Sequence, residues 1–200
     1  INDIIFNNSH RYCVGELFVR VTANNAICLT YHQAMKIFEN LLQLSSHKKG
    51  HLIECSYLFT DYYVLPHYNT VCWDGKRSLR IQNAGGKSEI SEMYSIDYLT
   101  QLYNGGNTIL ETEVSYWTDS KMVDFIIDLN GKRTGVSVTR AMGFPTIDSF
   151  TYQQAVNLLN KKLFGLLVAR NGVTKKHRFD LSILHIWCQT EQAATLLTQA

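Results

Sequence analysis

The chain has 200 residues, 46% hydrophobic and 18% charged, a composition that excludes a disordered polymer and allows one core or two small packed subdomains. Its formal net charge of +2 is too small to mark a nucleic-acid binder by itself. No apolar run approaches the roughly 18–20 residues needed to cross a bilayer, and Ile4-Ile5-Phe6 lacks the basic flank and the length of a signal peptide, so an intracellular domain without a membrane segment is expected.

Residues 15–22 read as a strand from their β-branched and aromatic content. Residues 31–46 read as an amphipathic helix, with Ala34, Ile37, Phe38, Leu41, Leu42 and Leu44 at helical spacing and Thr30 able to cap it. A strand over about 51–59 follows. The Asp74-Gly75 pair then predicts a hairpin over 71–81. Asn83-Ala84-Gly85-Gly86 breaks the pattern and divides an N-terminal α+β subdomain or sheet extension, 1–85, from a core, 86–200. Because the first residue is Ile1, a domain taken from a longer protein is expected.

The core opens with a helix from Ser88 to about Tyr103, its apolar stripe running through Ile90, Met93, Tyr94, Tyr98, Leu99 and Leu102, and Gly105-Gly106 stopping it. Strands are predicted over 109–117, 121–129 and 134–141, the last two joined by a tight turn at Asn130-Gly131. A loop with Gly143 and Pro145 leads to a helix over about 152–170, capped by Ser149 or Thr151, with Ala155, Leu158, Leu159, Leu163, Leu166 and Leu167 inward. Residues 181–188 form a nearly continuous apolar run, the mark of a central strand, and 190–199 a closing helix. The fold class is α+β: helix, three strands, helix, strand around a mixed sheet, with the N-terminal α+β extension.

This order of elements resembles the PD-(D/E)XK, or restriction-endonuclease-like, nuclease superfamily. The resemblance implies a first metal-binding acid on the second core strand, where Asp124 stands between Val123 and Phe125. It implies an acid-x-lysine pair on the third strand and often a glutamate from the preceding helix. The implied activity is phosphodiester hydrolysis with Mg²⁺ held by carboxylates. On the third strand Ser137 stands at the acid position and Thr139 at the lysine position. Two readings follow. In one the site has migrated: Glu92 or Glu89 from the helix, or Glu111 or Glu113 from the first strand, supplies the second acid, and Arg140, Lys161 or Lys162 the cation. The set carried forward is Asp124 as metal ligand, with Glu92, Glu113, Arg140 and Lys162. In the other reading the domain is a catalytically inactive nuclease-like scaffold that binds protein or nucleic acid.

Basic clusters add candidates for nucleic-acid contact: Lys76, Arg77 and Arg80 near the predicted hairpin, and Lys161 on the long helix. The aromatic run Tyr57, Phe59, Tyr62, Tyr63 and Tyr68 can stack bases but reads more simply as strand packing. His185 reads as a satisfied core histidine. Cys13, Cys28, Cys55, Cys72 and Cys188 are odd in number and contain no C-x-x-C pair, so reduced core thiols of a cytoplasmic or nuclear protein are expected. No nucleotide-binding glycine loop and no G-x-S-x-G nucleophile turn occurs.

Overall fold

The β-branched run after Gly15 becomes β2 (Glu16–Thr22), which pairs antiparallel with β1 (Ile4–Ile5) and β3 (Leu52–Tyr57) in an order β1-β2-β3. The structure is a computed structural model that describes residues 4–5, 16–22, 52–57, 71–81, 89–117 and 122–200. The predicted helix over 31–46, the boundary at 83–86, Ser88 and most of the 57–68 aromatic run lie outside the described residues.

Residues 71–81 form no hairpin. They contain a helix, α1 (Trp73–Ser78), whose N-cap is Cys72. The Cys72 N–H donates to Asp97 at 2.7 Å, and the Cys72 Sγ accepts from the Gly75 N–H. A Cβ on Gly75 would meet Val71 at 2.7 Å and the Met93 carbonyl at 3.2 Å. Gly75 therefore serves close packing on the next helix, and this tertiary contact overrides the local turn signal of Asp-Gly.

α2 (Glu89–Leu102) carries acids in its first turn, as the helix dipole favours. Asn104, at φ 51°, ends it, and Gly105 already belongs to β4 (Gly105–Leu110). The first core strand thus begins earlier than expected. A Cβ on Gly105 would strike Ile127 at 2.6 Å, so glycine here lets the strand approach its neighbour. Glu111–Glu113 turn as a 3₁₀ helix where a strand was predicted. β5 (Phe125–Leu129) and β6 (Lys132–Ala141) meet in the predicted hairpin, with Asn130 at φ 48° and Gly131 at φ 77°. α3 (Tyr152–Gly172) starts at Thr151, whose hydroxyl accepts from the Gln154 N–H while Gln154 returns a bond to the Thr151 N–H. β7 (Leu181–Cys188) and α4 (Glu191–Gln199), capped by Thr190, complete the chain.

The core sheet has the order β4-β5-β6-β7, antiparallel across the first three strands and parallel between β6 and β7. A four-stranded mixed sheet with helices is the α+β class expected. Two helical layers enclose it. Ile126 and Leu184 join Leu166, Ala169, Val173 and Phe179 on the α3 side. His185 and Trp187 meet Tyr98 and Ser95 of α2 on the other side. β7 lies at the end of this sheet among the described residues, not at its centre. Its apolar run reflects cover on both faces by helices.

Two further expectations change. Leu163 is 49% exposed and Leu167 61%, because the inward stripe of α3 runs instead through Ala155, Leu158, Lys162, Leu166 and Ala169. Cys188 is exposed and Cys72 half-buried, so neither is the buried core thiol expected, and neither forms a disulfide. Burial, with Asp97 adding to it, pushes the Cys72 thiol up to about 11.

Two histidines make this core pH-sensitive. His177 is buried, and its Nδ1 accepts the Ser115 N–H at 2.8 Å, which requires an unprotonated nitrogen. Burial, then Lys176 and Arg133, lowers its pKa. The His185 ring stacks on Trp187, and burial lowers its pKa to about 4. A histidine lowered below 6.5 on folding contributes stability above pH 6.5 that is lost as pH falls toward the folded value. Urea midpoints are expected to fall between pH 6.5 and 4, and His185→Phe to flatten that slope; an unchanged slope in the variant would remove His185 as its source.

Candidate metal-dependent hydrolytic site

Asp124 lies one residue before β5 and stitches three segments together. Its N–H donates to the Val136 carbonyl, and its own carbonyl accepts the Glu111 N–H, each at 3.0 Å. Its side chain turns to β6, where Oδ2 accepts the Val138 N–H at 2.6 Å. That bond accounts for a half-buried carboxylate in an apolar run, since a strong acceptor there needs a donor.

The cation comes from α3. Lys162 falls on the inward stripe, four residues after Leu158 and four before Leu166. Its Nζ donates to the Val138 carbonyl at 3.0 Å. Val138 therefore offers its N–H to Asp124 and its C=O to Lys162. This residue lies between Ser137 and Thr139, the two positions where the sequence lacks the acid and the lysine. Ser137 is buried and Thr139 half-buried in β6.

Glu111 joins this group. Its carboxyl is held above the usual carboxylate range by burial, by Asp124 and by Glu92, with Lys162 pulling the other way. Three carboxylates and one lysine thus share an electrostatic neighbourhood. Glu92 contributes from α2, where it is buried. Tyr116 borders the same group. Its hydroxyl accepts the Val123 N–H at 3.0 Å, and burial, together with Glu111 and Asp124, keeps the phenol protonated.

Glu113 and Arg77 go elsewhere. They pair with each other, while Arg77 also bonds the Thr108 carbonyl at 2.6 Å and Asp74 at 3.3 Å. Burial raises the Glu113 pKa, but the Leu110 N–H and the Arg77 guanidinium outweigh it and hold the carboxyl below its usual range. Glu113 and Arg77 thus form a pin between α1 and the end of β4. Lys76 and Arg80 flank Arg77 on this side; Arg80 lies over the Trp73 ring at 5.9 Å. Arg140 turns to the α2 face, where its Nε donates to the Ser91 hydroxyl. Lys161 is exposed beside Lys162. The structure therefore brings Asp124, Glu92 and Lys162 together, adds Glu111 and Tyr116, and leaves Glu113 out. Between Glu111 and Glu113 spacing decided nothing; the turn at 111–113 aims them apart. In the sequence Lys162 was one of three candidate cations, beside Arg140 and Lys161, and the expected apolar stripe of α3 did not include it.

The donors suit a hard cation that keeps most of its water, because Mg²⁺ is commonly held by one or two carboxylates plus substrate oxygens. Among the described residues no three acidic, histidine or cysteine side chains converge closely enough to hold an ion by themselves. That leaves Asp124 as the acid fixed in place to hold such an ion, with Glu111 and Glu92 adding negative charge around it.

No family model matches the chain, and no solved structure matches it. It is similar to the AAC-rich mRNA clone AAC4 protein of Dictyostelium discoideum, with 36% identity over 131 residues, 62% of this chain and 19% of that protein. The chain thus spans about a fifth of the length of the curated relative it matches. That relative's name assigns no activity. No described helix is long and apolar enough to cross a membrane.

Proposed function

We propose that this domain is a divergent PD-(D/E)XK-type nuclease that hydrolyses phosphodiester bonds of nucleic acid with Mg²⁺. The observation that carries this reading is Lys162, which reaches from α3 to the Val138 carbonyl beside Asp124. A cation absent from the third strand is supplied there from the next element. The sheet order and the parallel β6–β7 pair agree with it.

When bound, Mg²⁺ supplies a Lewis acid for the phosphoryl oxygens. The chain's own groups divide the remaining work. Asp124, fixed through Oδ2 by the Val138 N–H, presents Oδ1 as an oriented anion. Glu111, the carboxylate with the raised pKa, is the best-matched base for the proton of an attacking water. Lys162 stabilises charge that develops on the phosphate. Tyr116 stays neutral and can donate its proton as a hydrogen bond.

The test is cleavage of labelled single- and double-stranded DNA and RNA with and without Mg²⁺, using the parent chain and Lys162→Met. Metal-dependent cleavage is expected, reduced about a hundredfold in the variant. Loss of the lysine also lifts the Glu111 pKa further, so the acid limb of the pH–rate profile moves to higher pH. Cleavage with an unmoved limb would break the link between Lys162 and Glu111. Binding without cleavage by either protein would assign the domain to a nuclease-like scaffold.

A further inference from the structure

Beside its inward stripe, α3 carries a second apolar stripe that faces outward. Tyr152, Val156, Leu159, Leu163 and Leu167 recur every three to four residues, so they share one side of the helix. Tyr152 is 49% exposed, Leu163 49% and Leu167 61%, with Phe164 next to them at 66%. Val156 and Leu159 are half-buried. Trp117, whose N–H donates to the Gly172 carbonyl at 2.9 Å, adds a 69% exposed indole at the C-terminal end of this helix. Single exposed apolar side chains are ordinary on a protein surface, whereas a run of them along about four turns of one helix marks an interface.

Charge and spacing identify the occupant. α3 contains no acid, and its cations are Lys161, Lys162 and Arg170. Lys162 reaches the Val138 carbonyl, and Lys161, two residues before Leu163, projects about 160° away from the stripe. The neutral amides of Gln153, Asn160 and Asn171 border the open side instead. An acidic partner helix would find one cation here, Arg170, at the far end, while a like copy meets no like charge along the apolar stretch. The stripe also reads alike in both directions. Counted from residue 161, Leu159 and Leu163 lie two residues away on either side, Val156 and Leu167 five and six, and Tyr152 and Arg170 nine. Two copies crossing antiparallel about a two-fold axis therefore set Leu159 against Leu163, Val156 against Leu167, and the Arg170 guanidinium over the Tyr152 ring at both ends.

We propose that the outward stripe of α3 is a self-association surface that takes a second copy of this chain in an antiparallel helix pair. From Tyr152 to Arg170 it is about 27 Å long and one helix wide, so it buries less than the roughly 1,200–2,000 Å² of a stable interface and makes a weak, reversible dimer. Self-association in this mode needs no nuclease activity, so the failure of either reading leaves the other standing.

Sedimentation equilibrium of the 200-residue chain tests this, in reducing buffer so that the exposed Cys188 forms no cross-link. The weight-average mass is expected to rise from that of one chain toward that of two between about 10 and 500 μM, as suits a small interface. Leu163→Glu and Leu167→Glu, both at exposed positions, are each expected to weaken association at least about tenfold with unchanged circular dichroism, because each dimer would bury two unpaired carboxylates. Arg170→Ala removes two symmetric cation–π contacts and is expected to weaken it about fivefold. Lys161→Glu, on the other side of the helix, is expected to leave it unchanged. A single-chain mass over the whole range, a dimer that either folded glutamate variant keeps, a dimer lost equally in Lys161→Glu, or growth past two chains would overturn the self-association surface. Unchanged association in Arg170→Ala would overturn the antiparallel pairing.

Discussion

Asp124→Asn is expected to lower Mg²⁺-dependent cleavage by at least about a thousandfold, since metal-assisted charge stabilisation is worth several kcal/mol and each 1.36 kcal/mol is a factor of ten. The substitution keeps the shape of the side chain. An amide oxygen can still accept the Val138 N–H, so the stitch between the Asp124 segment and β6 survives while the charge is lost. Thermal stability should therefore move little. Asp124→Ala removes charge and acceptor together and leaves the Val138 N–H without its partner, which adds a stability cost of about 1–3 kcal/mol. Comparing the two variants by urea denaturation and by cleavage separates the anion's chemistry from its structural bond. Equal activity in Asp124→Asn and the parent would remove Asp124 from the mechanism.

Phe179→Ala is expected to cost about 3–5 kcal/mol, the range for truncating a buried aromatic side chain. Phe179 is 2% exposed and belongs to the cluster that holds α3 against the sheet. Its ring covers Gly135 of β6, where an added Cβ would lie 2.6, 2.7 and 2.9 Å from three ring atoms. Gly135→Ala alone is therefore expected to destabilise by about 1–3 kcal/mol through overpacking. In the double variant the methyl occupies space the ring has left, so the costs should add to less than their sum. Urea midpoints of the four proteins check this. Strict additivity would mean the two positions do not share that space.

Much of the core was legible because its signals are local. Asn130-Gly131 specified a two-residue hairpin through positive φ at both positions, and Thr151 announced α3 by its capping geometry. The elements that moved are those whose local signal lost to packing. Asp74-Gly75 favours a turn in isolation, yet Gly75 lies against the Met93 backbone inside a helix-to-helix contact. Gly105 looked like a helix stop because glycine is common there, while Asn104 takes the left-handed position and Gly105 lies flat against Ile127. The apolar run of β7 could not reveal its place in the sheet, since cover by α2 and by α3 produces the same pattern as flanking strands. In the candidate site, Asp124 stood out as a charge between Val123 and Phe125, whereas Lys162 could not be told from Lys161 or Arg140 until the inward stripe of α3 was seen. Glu111 did not, because its place depends on a 3₁₀ turn that strand-like alternation hid.

The parallel pairing of β6 with β7 sets Val136 beside Ile183, with all of α3 between them in the chain. The β5–β6 hairpin is a local structure of the kind that forms in about 1–10 μs, whereas a parallel crossover must first close a long loop. Asp124 arrives with the hairpin, and Lys162 reaches Val138 only when α3 docks on it. The two charges therefore meet through a longer-range step than the hairpin turn itself. Any activity here is a property of the finished topology.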